Sequence, residues 1–254
     1  MEAKKLYDDA NQMLDTIIHE NWIGAKAVIG LFPAKSEKED IVIYNPEDPS
    51  QNLATFHFLR NQKQKSDGTP NVCLADFIAP TSDDTLGMFV VSAGFGIEKW
   101  TQKFEAAHDD YSSIMIKLLA DRLAEALAEM MHAQVRKEYW GYESDAKIDF
   151  EKLIKEDFQG IRPAPGYPAC PEHSEKEILF KVLDVEANIG VTLTENYSMY
   201  PAASVCGFYF SHPQSHYFNV GKISKEQVSD YANRKGISVE TAEKWLAPNL
   251  NYKS

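Results

Sequence analysis

The chain has 254 residues, 44% hydrophobic and 25% charged, with 26 Lys and Arg against 38 Asp and Glu and three cysteines. That length can bury a sizeable core in one large domain or two small ones, and 13 Phe, 12 Tyr and 4 Trp spread along it argue against disorder. A formal charge of -12 argues against a nucleic-acid binder. No apolar run approaches the roughly 20 residues of a membrane span, and MEAKKLYDD has no apolar signal core, so a cytoplasmic location is expected.

In chain order, Leu6, Ala10, Met13, Leu14, Ile17 and Ile18 recur at helical spacing within residues 2–20. Short β-type runs follow at 25–33, 41–44 and 53–58, then 73–80 and 85–94, as an expected antiparallel meander. Residues 61–71 read as an exposed loop. From Trp100 to about Lys137 no Gly or Pro interrupts a helix-forming composition, so one long helix over about 101–137 is expected. On its surface Phe104, Ala107, Tyr111, Ile114 and Leu118 form one apolar flank, continued by Arg122, Glu125 and Glu129. That charged end fits either an ion-paired helix end or the wall of a ligand pocket.

A short helix at 149–158 precedes RPAPGYPACPEH (162–173), whose four prolines exclude both helix and central strand. Ser174 with Glu177 forms a capping-box pattern opening a helix to about Asn188, stopped by Gly190. Residues 191–210 read as one or two strands with a turn at Pro201, and 212–223 as another. Ser224 with Gln227 repeats the capping pattern for a helix ending at Gly236, and a last helix spans about Val239 to Leu246. The order predicts an α+β architecture with antiparallel pairing, as one domain or two tightly joined lobes.

Few constellations carry chemistry. Ser92-Ala93-Gly94-Phe95-Gly96 lies where a phosphate loop would, but lacks the third glycine and the Lys-Ser/Thr ending. His212 and His216 are four apart without an acidic ligand to complete a metal site, and Cys73, Cys170 and Cys206 are isolated, so no metal is expected. His108-Asp109-Asp110 reads as a solvated helix face. The proline-rich strip remains: Arg162 could hold a carboxylate bidentately, the backbone could read polar edges, and Tyr167 could cover a flat ring. The competing reading is a rigid crossing whose Arg meets a local carboxylate.

The words RPAPGYPACPEH (162–173), FEAAHDDYSSIMIKLLADRLAEALAE (104–129), YFSHPQSHYF (209–218) and WLAPNL (245–250) strongly resemble the C-terminal activation domain of cobalamin-dependent methionine synthase. The similarity runs from about Leu6 to Tyr252, so residues 1–254 are expected to form one such domain. The resemblance implies a C-shaped α+β fold with a central twisted antiparallel sheet flanked by helices, and a site for S-adenosylmethionine. It implies a repair reaction: inactive cob(II)alamin is reduced by one electron from flavodoxin or an equivalent reductase, coupled to methyl transfer from S-adenosylmethionine. By the same resemblance Arg162 holds the ligand's carboxylate and Ala164 binds through its backbone. Tyr167 and Tyr217 lie beside the ligand, Glu125 is an acidic residue near it, and Tyr200 to Ala203 face the corrin ring.

The family carries one more acidic ligand residue ahead of the position matching Leu6, so a site lacking it is expected to bind more weakly, by about 1.5 to 3 kcal/mol. The cobalamin-binding DxHxxG word and the zinc cysteines of the homocysteine module are not found in these residues. The module is therefore expected to work with a cobalamin-binding partner, as the activation part of 5-methyltetrahydrofolate-homocysteine methyltransferase rather than a methionine synthase by itself. The alternative is a non-catalytic S-adenosylmethionine-binding or regulatory domain without a cobalamin partner.

Overall fold

A computed structural model describes residues 2–65, 68–81, 84–143, 151 and 155–253. Seven α-helices and seven strands occur among them: α1 Glu2–Glu20, β1 Gly24–Glu37, β2 Asp40–Tyr44, β3 Asn52–His57, β4 Asp84–Phe95, α2 Ile97–Ala106, α3 Asp110–Gln134, α4 Glu175–Val182, α5 Val185–Ile189, β5 Thr192–Leu193, β6 Met199–Tyr200, β7 Ser204–Tyr209, α6 Lys225–Lys235 and α7 Val239–Trp245. The expected α+β class is what is found, with a five-stranded antiparallel sheet in the order β3-β2-β1-β4-β7. The chain divides into two compact units, residues 1–28, 90–134 and 185–205 in the first and 29–89, 135–184 and 206–254 in the second.

In the first unit, Trp22 stacks on Trp100 at 3.9 Å between ring centroids, and the Trp100 indole N–H donates to the Trp22 carbonyl at 3.1 Å. The long helix is present, but the expected span of 101–137 is interrupted. Around residue 108 the backbone turns: His108 has φ 56°, the Asp109 N–H donates to Phe104 O at 2.9 Å, and the Asp109 carboxylate accepts from the Ser112 N–H at 3.0 Å. That is a helix end followed at once by an N-cap, so His108-Asp109-Asp110 is solvated, as expected, but as punctuation between two helices rather than as one helix face.

α3 turns a line of small residues inward: Ser113, Ala120, Ala124 and Ala128 are buried. The flank read as apolar faces outward instead, with Tyr111 52%, Ile114 58% and Leu118 54% exposed. Small side chains let neighbouring backbones approach closely, which a count of large apolar residues does not reveal.

In the second unit, β2 pairs with β1 through a tight turn at Lys38 (φ 59°) and with β3 on its other side, placing Ile41 opposite Phe56. Phe56, Phe58, Phe208 and Phe210 are fully buried, with Phe208 edge-on to both Phe56 and Phe58. A second cluster joins Leu59, Val220 and Ile223 to Val228 and Tyr231 of α6 and Ala242 of α7.

Several local expectations are corrected. Residues 73–80 form no strand but a 3₁₀ turn, Leu74–Phe77, stabilised because Asp76 accepts from the Cys73 N–H at 2.9 Å and meets the Arg60 guanidinium. Residues 212–223 carry only an isolated bridge, Ile223 with Leu250. The Ser174–Glu177 box does not form, because the Ser174 hydroxyl donates to Glu172, and the helix after it breaks at Asp184 (φ 44°) into α4 and α5. Gly190 does stop α5, with φ 75° and its N–H donating to Glu186 O. Ser224 caps α6 by accepting from the Gln227 N–H at 3.3 Å, while the Gln227 side chain goes to Arg60 O. Of the helix expected at 149–158, residues 149, 150 and 152–154 lie outside the described residues, and 155–158 form a turn and bend rather than helix.

Candidate functional site

The proline-rich strip and Ile161 before it take backbone partners from β7, from Phe210 just after it, from Val220, and from the strip itself. Ile161 and Phe210 exchange both hydrogen bonds at 3.0 Å, and the Phe208 N–H donates to Pro163 O at 2.9 Å. Gly207 makes this approach possible: a Cβ there would lie 2.7 Å from Pro163 O. Beyond Pro163 the chain closes on itself, with the Gly166 N–H donating to Cys170 O at 2.7 Å and the Cys170 N–H to Tyr167 O at 2.8 Å. Gly166 has φ 96°, and a Cβ on it would overlap the His173 ring. A Pro-rich segment that cannot build a ladder is thus held by single hydrogen bonds to β7, Val220 and Tyr217 and by its own tight turn.

The end of the strip is pinned by a buried carboxylate. Glu172, 4% exposed, accepts from the Ser174 N–H at 2.6 Å, the Ser174 hydroxyl and the Tyr231 hydroxyl at 3.2 Å. Lys176 Nζ lies 3.0 Å from His173 Nδ1; partial burial and this ammonium hold the His173 pKa below its usual value. The imidazole is therefore favoured neutral, accepting at Nδ1.

The expected site residues divide between the units. Arg162, Ala164, Tyr167 and Tyr217 belong to the second unit, and Glu125 to the first. The Arg162 backbone N–H donates to the Tyr217 hydroxyl at 3.1 Å, which joins two residues 55 apart in sequence. The Ala164 carbonyl accepts from the Tyr167 N–H at 3.3 Å, and the Tyr167 ring is 65% exposed. Beneath Arg162 lies Tyr209, stacked on Phe89 at 4.6 Å; burial raises its phenol pKa while the Arg162 charge opposes that rise. Glu125 is exposed and pairs with Arg122 at 2.7 Å, the helix-surface ion pair that the spacing allowed.

The set shared by Arg162, Tyr167 and Tyr217 is one cation, two partly exposed aromatic rings and a fixed backbone turn. That chemistry suits a small ligand with a carboxylate and a flat ring. Two residues that sequence reasoning missed hold the set in place: Gly207, seen only as part of a strand, and Glu172, whose burial no local pattern announces.

Other sequence candidates take structural roles. Gly96 (φ 88°) turns β4 into α2, and a Cβ on Gly94 would meet Pro201 at 2.7 Å. His212 and His216 pack around the Phe77 ring at 6.0 and 5.6 Å. Among the described residues no group of three or more His, Cys, Asp or Glu could hold a metal ion, and no helix is long and apolar enough to cross a membrane.

An α+β module whose sheet edge carries a proline-rich strip is the class that fold and geometry define. The chain belongs to the family described as vitamin B12 dependent methionine synthase, activation domain, which it matches over residues 1–236. It is a domain of a methyltransferase. Among solved structures it is similar to the MetH reactivation domain bound to AdoHcy, with 50% identity and a TM-score of 0.95 over 99% of this chain and 78% of that chain.

Proposed function

We propose that this chain binds S-adenosylmethionine and presents it for the reductive methylation that returns cob(II)alamin to methylcobalamin. The observation that carries the reading is the strip itself, which joins the Arg162 backbone to Tyr217 in a domain half identical to one with AdoHcy bound. Arg162 would hold the ligand's carboxylate as a bidentate partner. The Ala164 backbone would read a polar edge, and Tyr167 and Tyr217 would flank the ligand. The residues present fit the ligand: a guanidinium for the carboxylate, two exposed aromatic side chains, and a turn kept narrow by Gly166 against His173.

When bound, S-adenosylmethionine supplies the methyl group, and this chain's share is to orient it. Within Tyr200 to Ala203, the exposed Tyr200, whose hydroxyl donates to Glu98 at 2.9 Å, and the exposed Ala202 would face the corrin ring, while Pro201 and Ala203 are buried. The reading places residues 1–254 as one activation module that serves a cobalamin-binding module and flavodoxin or an equivalent reductase. The parent activity is that of 5-methyltetrahydrofolate-homocysteine methyltransferase, in the cytoplasm, with methionine synthesis itself left to the other modules.

Calorimetric titration with S-adenosylmethionine tests the site. Wild type is expected to bind one equivalent saturably, and Arg162→Ala to bind about 10- to 100-fold more weakly, the loss expected for a hydrogen-bonded charge pair. Equal affinity for the two proteins, both folded by urea denaturation, would remove the assignment.

A further inference from the structure

Arg162 is set by more than β7. Immediately after α3, residues 135–139 form a π-helical turn, and Arg136 in it is 4% exposed. Its guanidinium lies 3.9 Å from the centroid of the Phe158 ring, and its Nε donates to Glu143 at 2.8 Å. The other oxygen of Glu143 accepts from the Gln159 N–H at 3.4 Å, and the Gln159 side chain donates to Ser211 O at 2.6 Å. Gly160, with φ 91°, lies so close to Tyr142 that a Cβ would come 2.7 Å from the phenol oxygen. Phe158, Gln159 and Gly160 are therefore each gripped by residues 136–143, and Arg162 follows two residues later.

An ion pair whose Arg is buried and whose Glu is a quarter exposed is a poor stabilising device, because desolvation offsets most of its attraction and an apolar pair of equal volume often does as well. What such a pair does supply is direction: a planar cation on an aromatic face and a carboxylate on a backbone N–H tolerate little displacement. π turns also recur at functional sites.

We propose that Arg136 and Glu143, acting through Phe158 and Gln159, are positioning residues that aim Arg162 at the ligand's carboxylate. The inference rests on the assignment of Arg162 given above. β7 fixes the strip along one edge, and the clamp fixes the approach to it, so loosening the clamp blunts recognition of the carboxylate while the rest of the ligand still binds.

The test compares S-adenosylmethionine with decarboxylated S-adenosylmethionine by calorimetric titration of the full chain. Wild type is expected to prefer the carboxylated ligand by about 10- to 100-fold, and Arg162→Ala to abolish that preference. Arg136→Met and Glu143→Gln should narrow the ratio several-fold and leave the affinity for the decarboxylated ligand unchanged, which a general loosening of the fold would not do. Should Arg136→Met fail to fold, Phe158→Leu keeps both charges and must still narrow the ratio. A wild-type ratio in these variants, with Arg162→Ala losing it, overturns the clamp alone. A ratio kept in Arg162→Ala removes the assignment and the clamp with it.

Discussion

Helix α3 and the strip at 162–173 solve opposite problems. The helix satisfies its own backbone and needs only a packed face; the strip packs readily and needs partners for its backbone. α3 therefore depends on the size of a few buried side chains, Ala120, Ala124 and Ala128, whereas the strip depends on two glycines that admit a neighbour. The difference teaches that a segment without regular structure can be held by a few backbone bonds to its neighbours and to itself.

The strongest way to break the strip is at Gly166. Gly166→Ala combines a positive φ with overlap on His173 and should cost about 3 kcal/mol, read as a shift of the urea midpoint, with ligand affinity falling in the fraction still folded. On α3, Ala124→Leu overpacks a fully buried position and should cost about 2 kcal/mol while leaving the carboxylate preference intact. An unchanged urea midpoint in Ala124→Leu would mean that the inward line is loosely packed.

Leu118→Ala sharpens the same comparison from outside. At 54% exposure it should stay within about 0.5 kcal/mol of wild type, although on sequence spacing this residue belongs to the helix's apolar flank. A loss above about 2 kcal/mol would put Leu118 in a packed interface.

The smallest effect concerns pH. The His173 pKa is depressed in the folded chain by burial and by the Lys176 ammonium, so below the unfolded value of 6.5 the unfolded chain binds more protons. The stability contribution is complete above pH 6.5 and is lost as the pH falls through the lower folded value. His173→Gln should flatten the pH dependence of the urea midpoint across that window. An undiminished slope in the variant would assign it to other groups.

Much was legible in the chain before any coordinates. The first helix, the strands near 25–33, 41–44, 53–58 and 85–94, the stops at Gly190 and Gly236, the cap at Ser224 and the irregular nature of 162–173 follow from local rules, because caps, glycine turns and proline chemistry act within a few residues. The site residues came from long shared words rather than from spacing, which left Arg162 open between a ligand clamp and a structural crossing.

What only the tertiary structure decided is long-range. The inward face of α3 is set by close approach and not by the larger apolar residues on its other side. The strip's partners on β7, the Arg162–Tyr217 bond, the buried anchor at Glu172 and the Arg136 clamp join residues that local patterns cannot relate. Side-chain periodicity reports which residues could be buried together, while the hydrogen-bonding needs of a proline-rich segment are met wherever the fold brings a free edge.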